Sequence, residues 1–195
     1  MITTIHFYDE CSEQYAELTV KADMSKQYVK FLAYLPTDAS ILDAGCGSGR
    51  DSLFFMKKGY AVTMLDASAE MCKCAEKLTG QKALHMQFDE INFEKQFDGI
   101  WACASLLHVP ENKLGTIFAK FWRALKDNGI LYATWKYGEE ERYDGERFYC
   151  DMTEVKFKNV LVRVGLFDSL ECWVAEDALP LNRKQKWLNV VLRKV

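Results

Sequence analysis

Ile41-Leu42-Asp43-Ala44-Gly45-Cys46-Gly47-Ser48-Gly49 is an apolar run that ends on an acidic residue and passes straight into three glycines spaced GxGxG. Glycine has no Cβ, so the backbone can turn sharply and approach a ligand closely. Glycines set between a strand and a helix place that approach at the carboxyl edge of a sheet. The stretch predicts a strand over 41–44, a helix from about Arg50 to Lys58, and a nucleotide-shaped ligand between them.

Outward from this loop the pattern alternates. Gly59 closes the first helix, a strand follows over 60–65, then a helix over 68–78 closed by Gly80, then a strand over 83–88. Repeated βα units imply a parallel sheet. A strand over 99–104, a helix over 111–126 and a strand over 130–135 extend it, with Asn128-Gly129 read as the helix stop. The helix carries Leu114, Ile117, Phe118, Phe121, Trp122 and Leu125 on one face. Two last strands, 167–175 and 186–193, are joined by a connection containing Pro180 that is too short for a crossover helix, so they should pair antiparallel. The polar, aromatic stretch 136–151 reads as a mobile loop before a helix that begins near Thr153. Residues 1–39 read as a helical cap ending at Pro36, with Tyr28, Phe31, Leu32 and Leu35 at helical spacing. The expectation is one α/β domain over 1–195, with the cap at 1–39 and the core at 40–195: a mostly parallel seven-stranded sheet with an antiparallel C-terminal hairpin.

Composition narrows the function classes. A chain of 195 residues with net charge -3 has no general attraction to nucleic acid, and no apolar run approaches the length that crosses a bilayer. Seven cysteines, an odd number with no signal peptide ahead of them, read as reduced thiols in a cytoplasmic protein. Cys72 and Cys74 form a CxC with no matching Cys/His pair nearby, so no metal site is expected.

Asp66 ends the second strand, where a carboxylate can accept two ribose hydroxyl protons; Ser68 is the better helix N-cap, which leaves Asp66 to the ligand. A dinucleotide loop wants GxGxxG, but the position that would carry its last glycine is Arg50. GxGxG suits a ligand without pyrophosphate, and the nicotinamide dehydrogenase reading fails there.

With DAGCGSG at 43–49, LDAS at 65–68, MQFDE at 86–90, FDGIWACASLLHV at 97–109 and LKDNGILYATW at 125–135, all in order, the chain resembles the class I S-adenosylmethionine-dependent methyltransferases. The run from Gly49 to Ser68 is most similar to small bacterial methyltransferases of the tellurite-resistance type. The resemblance implies the three-layer Rossmann-like methyltransferase fold and S-adenosyl-L-methionine as cofactor. It implies that Gly45, Cys46, Gly47 and Gly49 line the methionine and ribose part, that Asp66 holds the ribose hydroxyls, and that Ala67 and Met71 pack near adenine. Phe88 through its backbone and Asp89 through its carboxylate would meet the adenine edge, and Cys103 would sit beside the methionine moiety. Where the family usually has Gly-Gly before the fifth strand, this chain has Asn128-Gly129.

Other positions keep two readings. Arg50 is either a helix-surface charge or a fork for the methionine carboxylate or an anionic substrate. Asp43 is either structural or water-bridged to the methionine ammonium. His108, just beyond the fourth strand, is the candidate general base, against a packing or hydrogen-bonding role. Tyr8 and Tyr15, and more weakly Tyr137 and Tyr143, are candidate lid aromatics able to face a sulfonium. Glu139-Glu140-Glu141 reads as a solvated loop. The function expected is methyl transfer to a small-molecule acceptor; the alternatives are a non-catalytic cofactor-binding partner subunit and a methyltransferase acting on nucleic acid or protein.

Overall fold

In the computed structural model, which describes residues 2–179 and 184–195, alternation along the strands decides how the layers form. Ile41, Trp101, Tyr132 and Val191 pack into the apolar layer on one sheet face, while their neighbours Leu42, Ile100, Leu131 and Val190 pack into the layer on the other. Successive side chains of a strand point to opposite faces, so a sheet of such strands must be covered on both. One cover contains α3 (Ser25–Leu32), α4 (Arg50–Lys57) and α5 (Ala69–Thr79); the other contains α6 (Glu111–Ala124) and α7 (Glu154–Val164).

The sheet holds β1 (Ser40–Ala44), β2 (Ala61–Asp66), β3 (Ala83–His85), β4 (Phe97–Ala102), β5 (Leu125–Lys136), β8 (Phe167–Glu176) and β9 (Lys186–Lys194), in the order β3-β2-β1-β4-β5-β9-β8. The first five are parallel; β9 runs antiparallel to β5, and β8 antiparallel to β9. This is the three-layer, mostly parallel seven-stranded sheet with an antiparallel C-terminal hairpin. The reversal of strand order between β1 and β4 opens a crevice at their carboxyl ends, where ligands bind in sheets of this kind. The connection containing Pro180 lies outside the described residues.

Four local readings are corrected. The third strand stops at His85, and Phe88–Glu90 forms a 3-10 turn closed by a capping box between Gln87 and Glu90. The fourth strand starts at Phe97 and ends at Ala102, after which Ala104 takes a positive φ of 52°. Asn128-Gly129 does not stop α6, which ends at Ala124; Asn128, with φ 62°, lies in an irregular stretch of β5 where the register against β4 shifts. The stretch 136–151 is not a loop throughout: it folds into a hairpin of β6 (Glu141–Asp144) and β7 (Arg147–Cys150) turning at Gly145. Phe148, Tyr149 and Cys150 are buried, and the hairpin base is tied by Asp151 N–H to Glu140 O (2.8 Å) and Met152 N–H to Lys136 O (2.9 Å).

The N-terminal cap is three helices, α1 (Ile2–Glu10), α2 (Ser12–Thr19) and α3. Only α3 packs into the core, through Tyr28 and Phe31; α1 and α2 lie over α5, and α1 also touches β7.

Candidate functional site

The glycine loop is pinned from below. Gly45 and Cys46 both donate their N–H to Leu65 O at 2.9 Å, which holds the loop against the end of β2. Gly45 has φ 84°, and a Cβ there would overlap Ser105, whose hydroxyl donates to Ala44 O at 2.7 Å. The loop backbone is therefore left bare toward the crevice. Gly49 behaves differently: a Cβ there would lie 2.9 Å from Ala75 Cα, so it sets the close approach of α4 to α5 and is not on the crevice wall.

Asp66 ends β2 with one loop amide on each oxygen: Gly47 N–H to Oδ2 and Ser68 N–H to Oδ1, both at 2.9 Å. Burial raises its pKa and these amides oppose the rise. Asp66 is thus more engaged than a carboxylate left entirely to the ligand, but each oxygen keeps acceptor capacity. Ser68 caps α5 as expected, accepting from Met71 N–H at 3.1 Å.

Arg50 turns its fork onto Asp51, with Nε and Nη2 at 2.6 and 2.9 Å, and gives Nη1 to Thr19 O at 3.1 Å. Three of the five guanidinium N–H groups are used, and two remain. Asp51 also accepts from Tyr28 Oη (2.5 Å) and Trp101 Nε1 (2.8 Å). Burial alone would raise its pKa; the Arg50 guanidinium and these donors bring it below the ordinary value. Asp43, bonded by Ser52 Oγ at 2.5 Å, is pushed up to about 8 by burial and by the charge of Asp51.

On the opposite side stands His108, with both ring nitrogens occupied. Nδ1 is 2.6 Å from Phe148 O and Nε2 is 2.9 Å from Tyr8 Oη. A carbonyl only accepts, so Nδ1 carries the proton and Nε2 accepts from the tyrosine hydroxyl. Burial, helped by Arg147 and Lys136, lowers the imidazole to about 4 and keeps it neutral. Cys103 is pushed up to about 12 by burial, so its thiol stays protonated.

The cap closes the crevice through three contacts on α1. Asp9 accepts from Ser68 Oγ (2.6 Å) and Glu70 N–H (3.3 Å), Thr4 Oγ1 accepts from Phe148 N–H (3.0 Å), and Tyr8 reaches His108. The result is a cavity of about 410 Å³. Of the residues singled out in the sequence, Tyr8, Tyr15, Gly45, Cys46, Gly47, Arg50, Asp66, Ala67, Met71, Phe88, Asp89, Cys103 and His108 lie on its wall, and Asp43, Gly49, Tyr137 and Tyr143 do not. Phe88 stands in the 3-10 turn, its ring edge-on to Phe121 at 5.7 Å. Tyr137 and Tyr143 are not lid residues; Tyr137 donates to Glu154 (2.8 Å), and Tyr143 is exposed on the hairpin. Ser105, Gln87, Lys113, Thr116 and Ile117 also line the cavity and were not foreseen. Ile117 had been read only as part of the apolar face of α6.

Residues 41–129 match the family model described as a methyltransferase domain. Over that stretch the chain is similar to S-adenosylmethionine-dependent methyltransferases. A relative, the putative methyltransferase YqeM of Bacillus subtilis, is 36% identical over 132 residues, which is 64% of this chain and 53% of that protein. The chain thus spans about half the length of the curated relatives it matches. The chain shares its fold with 1,6-didemethyltoxoflavin-N1-methyltransferase of Burkholderia thailandensis, solved with 1,6-didemethyltoxoflavin and S-adenosylhomocysteine (TM-score 0.79, 21% identity, 100% of this chain and 88% of that one). It shares it also with a TehB-like methyltransferase of Corynebacterium glutamicum (TM-score 0.72, 20% identity, 97% and 99%). Among the described residues, no helix is long and apolar enough to cross a membrane.

Proposed function

We propose that residues 1–195 act as one cytoplasmic unit that binds S-adenosylmethionine in this cavity and transfers its methyl group to a small-molecule acceptor. The carrying observation is the carboxylate of Asp66, aimed by Gly47 and Ser68 at the wall of a cavity floored by bare glycine backbone. These residues fit the cofactor. The volume is in the range that encloses a ligand of that size, Gly47 leaves room where a Cβ would stand, and Asp66 keeps acceptor sites for a ribose diol.

In this reading Asp66 holds the ribose hydroxyls, and Gly45, Cys46 and Gly47 lie along the ribose and methionine chain. Ala67, Met71, Phe88 and Asp89 surround adenine. The two free N–H groups of Arg50 meet the methionine carboxylate, and Asp43 meets the ammonium through water. Cys103, Tyr8 and Tyr15 line the reacting end, where aromatic faces favour a cation. When bound, the cofactor supplies an electrophilic methyl on a sulfonium. The chain's own work is to hold, orient and exclude water, and the latches of α1 on α5 and on the hairpin do the last of these. His108 acts by fixing Tyr8, since its Nε2 is already occupied.

Calorimetry with S-adenosylmethionine and S-adenosylhomocysteine, with NADH and NADPH as comparators, tests the reading. Binding of the first pair, with an Asp66→Ala loss of about 1.5 to 3 kcal/mol for hydrogen bonds to a charged group, is expected. Binding of a nicotinamide nucleotide alone refutes it.

A further inference from the structure

Behind the Tyr8–His108 wall the hairpin and the end of β5 gather positive charge around one ring. Tyr149 lies 5.0 Å from His108 between ring centres. Lys136 Nζ sits 3.6 Å from the Tyr149 ring centre, with the Arg142 and Arg147 guanidinium carbons at 5.0 and 5.4 Å. The anions facing this group are Asp151 and Asp144. Asp151 is spent on Arg142, at 2.9 and 3.3 Å. Asp144 is mostly exposed and only 3.6 Å from Arg147 Nη2.

Two cations are therefore poorly balanced. Lys136 is half-buried and has no carboxylate or hydrogen-bond partner among the described residues. Arg147 has its Nε buried without a partner, its guanidinium 4.5 Å from the Phe7 ring. A half-buried ammonium without an anion is costly, because desolvation is not repaid by a counter-charge. A third cation, Lys113 in the first turn of α6, stands on the cavity wall itself. The wall's carboxylates, Asp51, Asp66 and Asp89, all belong to the half assigned to the cofactor. Lys136 ends β5, so its backbone reaches the same carboxyl edge that opens the crevice.

We infer that the acceptor is an organic anion, a carboxylate or phosphate, whose charged group lies on the Tyr8–His108 side and is drawn there by Lys136, Arg147 and Lys113. This rests on the cofactor reading given above. Lys136 and Arg147 stand one ring behind His108, with protein and not bulk water between, so direct contact with each cation is not needed to select the sign of the ligand. Arg142, neutralised by Asp151, serves to hold the hairpin.

The test uses the full chain loaded with S-adenosylhomocysteine and, as probes, benzoate, phenyl phosphate and the neutral benzamide, read by calorimetry or saturation-transfer NMR. At least one anion should bind about tenfold tighter than benzamide, the ratio that one charge-assisted hydrogen bond provides, and the tighter of the two identifies carboxylate or phosphate. Lys136→Gln and Arg147→Gln should each remove most of that preference, and Lys136→Arg should keep it. Equal binding of benzamide, no binding of either anion at millimolar concentration, or an unchanged preference in both glutamine variants overturns the inference. S-adenosylhomocysteine affinity, measured first in each variant, separates the two readings. If it is intact and the anion preference is absent, the acceptor class alone is wrong; if the wild-type chain does not bind it, the cofactor reading and the acceptor class fall together.

Discussion

Gly49→Ala, set beside Gly80→Ala, distinguishes a glycine that packs two helices from one that only supplies a left-handed turn. Gly49 and Gly80 have nearly the same backbone, φ 80° and 75°, so alanine meets the same left-handed penalty at both. Their surroundings differ. A Cβ at Gly49 would lie 2.9 Å from Ala75 Cα, 3.1 Å from Ala75 Cβ and 3.2 Å from Thr79 Cγ2, whereas a Cβ at Gly80 meets nothing within 4 Å. The left-handed cost is about 1 kcal/mol, and pushing α5 off α4 adds about 1 to 3 kcal/mol of overpacking. Gly49→Ala should thus cost about 3 kcal/mol and Gly80→Ala about 1. For a chain of this size each kcal/mol lowers Tm by roughly 2–4 °C, which predicts losses of about 6–12 °C and 2–4 °C by thermal unfolding under circular dichroism. Equal losses would mean that α5 yields freely at Ala75, and the packing role given to Gly49 would be wrong.

Stability should depend on pH through two opposed groups. His108, held at about 4 against an ordinary 6.5, makes stability rise with pH between those values because the unfolded chain then binds the extra proton. Asp43, held at about 8 against 3.8, makes it fall with pH over its own window because the folded chain binds the extra proton. Each slope is at most about 1.4 kcal/mol per pH unit, so the two offset below pH 6.5 and Asp43 acts alone from there to pH 8; urea midpoints across pH should show that fall, and Asp43→Asn should flatten it. Asp51→Asn should destabilise by about 3 to 5 kcal/mol, since it strips the charge facing buried Arg50, and an effect under about 1 kcal/mol in urea unfolding would contradict the network. Nitrogen NMR of His108 at neutral pH should show the Nδ1–H form. Tyr8→Phe should keep that tautomer, fixed by Phe148 O, while raising the imidazole pKa.

The sheet was legible because its determinants are local. Alternation at Ile41-Leu42 and Tyr132-Ala133, and the glycines closing α4 and α5, act within a few residues of themselves, so period and spacing reveal them. That Gly45, Gly47 and Asp66 would share one cavity wall was legible for the same reason: they sit at strand ends fixed by that alternation. The hairpin over 141–150 was missed although Asp144-Gly145 is a turn pair, because its strands are charged and gain their burial from α1 and the turn at His108. Gly49 was assigned to the ligand because spacing cannot tell a glycine that faces a cofactor from one that faces Ala75. The state of His108 was beyond reach in another way. Its tautomer is set by a carbonyl forty positions along and its Nε2 by a hydroxyl a hundred positions back.

That division has a physical origin. The glycine loop and Asp66, at the centre of the proposed cofactor half, join β1, β2 and α4, neighbours in the chain, whereas the proposed acceptor half joins α1, the turn after β4, the end of β5 and the hairpin, brought together only by the finished fold. Thr4 bonded to Phe148 spans 144 positions, and with the Tyr8–His108 bond it builds the wall on which the inferred acceptor would lie. Substitutions at Arg147 or Lys136 can change the charge of that half without disturbing a single hydrogen bond of the glycine loop or of Asp66. If the acceptor is the anion inferred above, its preference can drift while cofactor binding stays fixed, and variants on the hairpin and α1, not around the glycines, should change it.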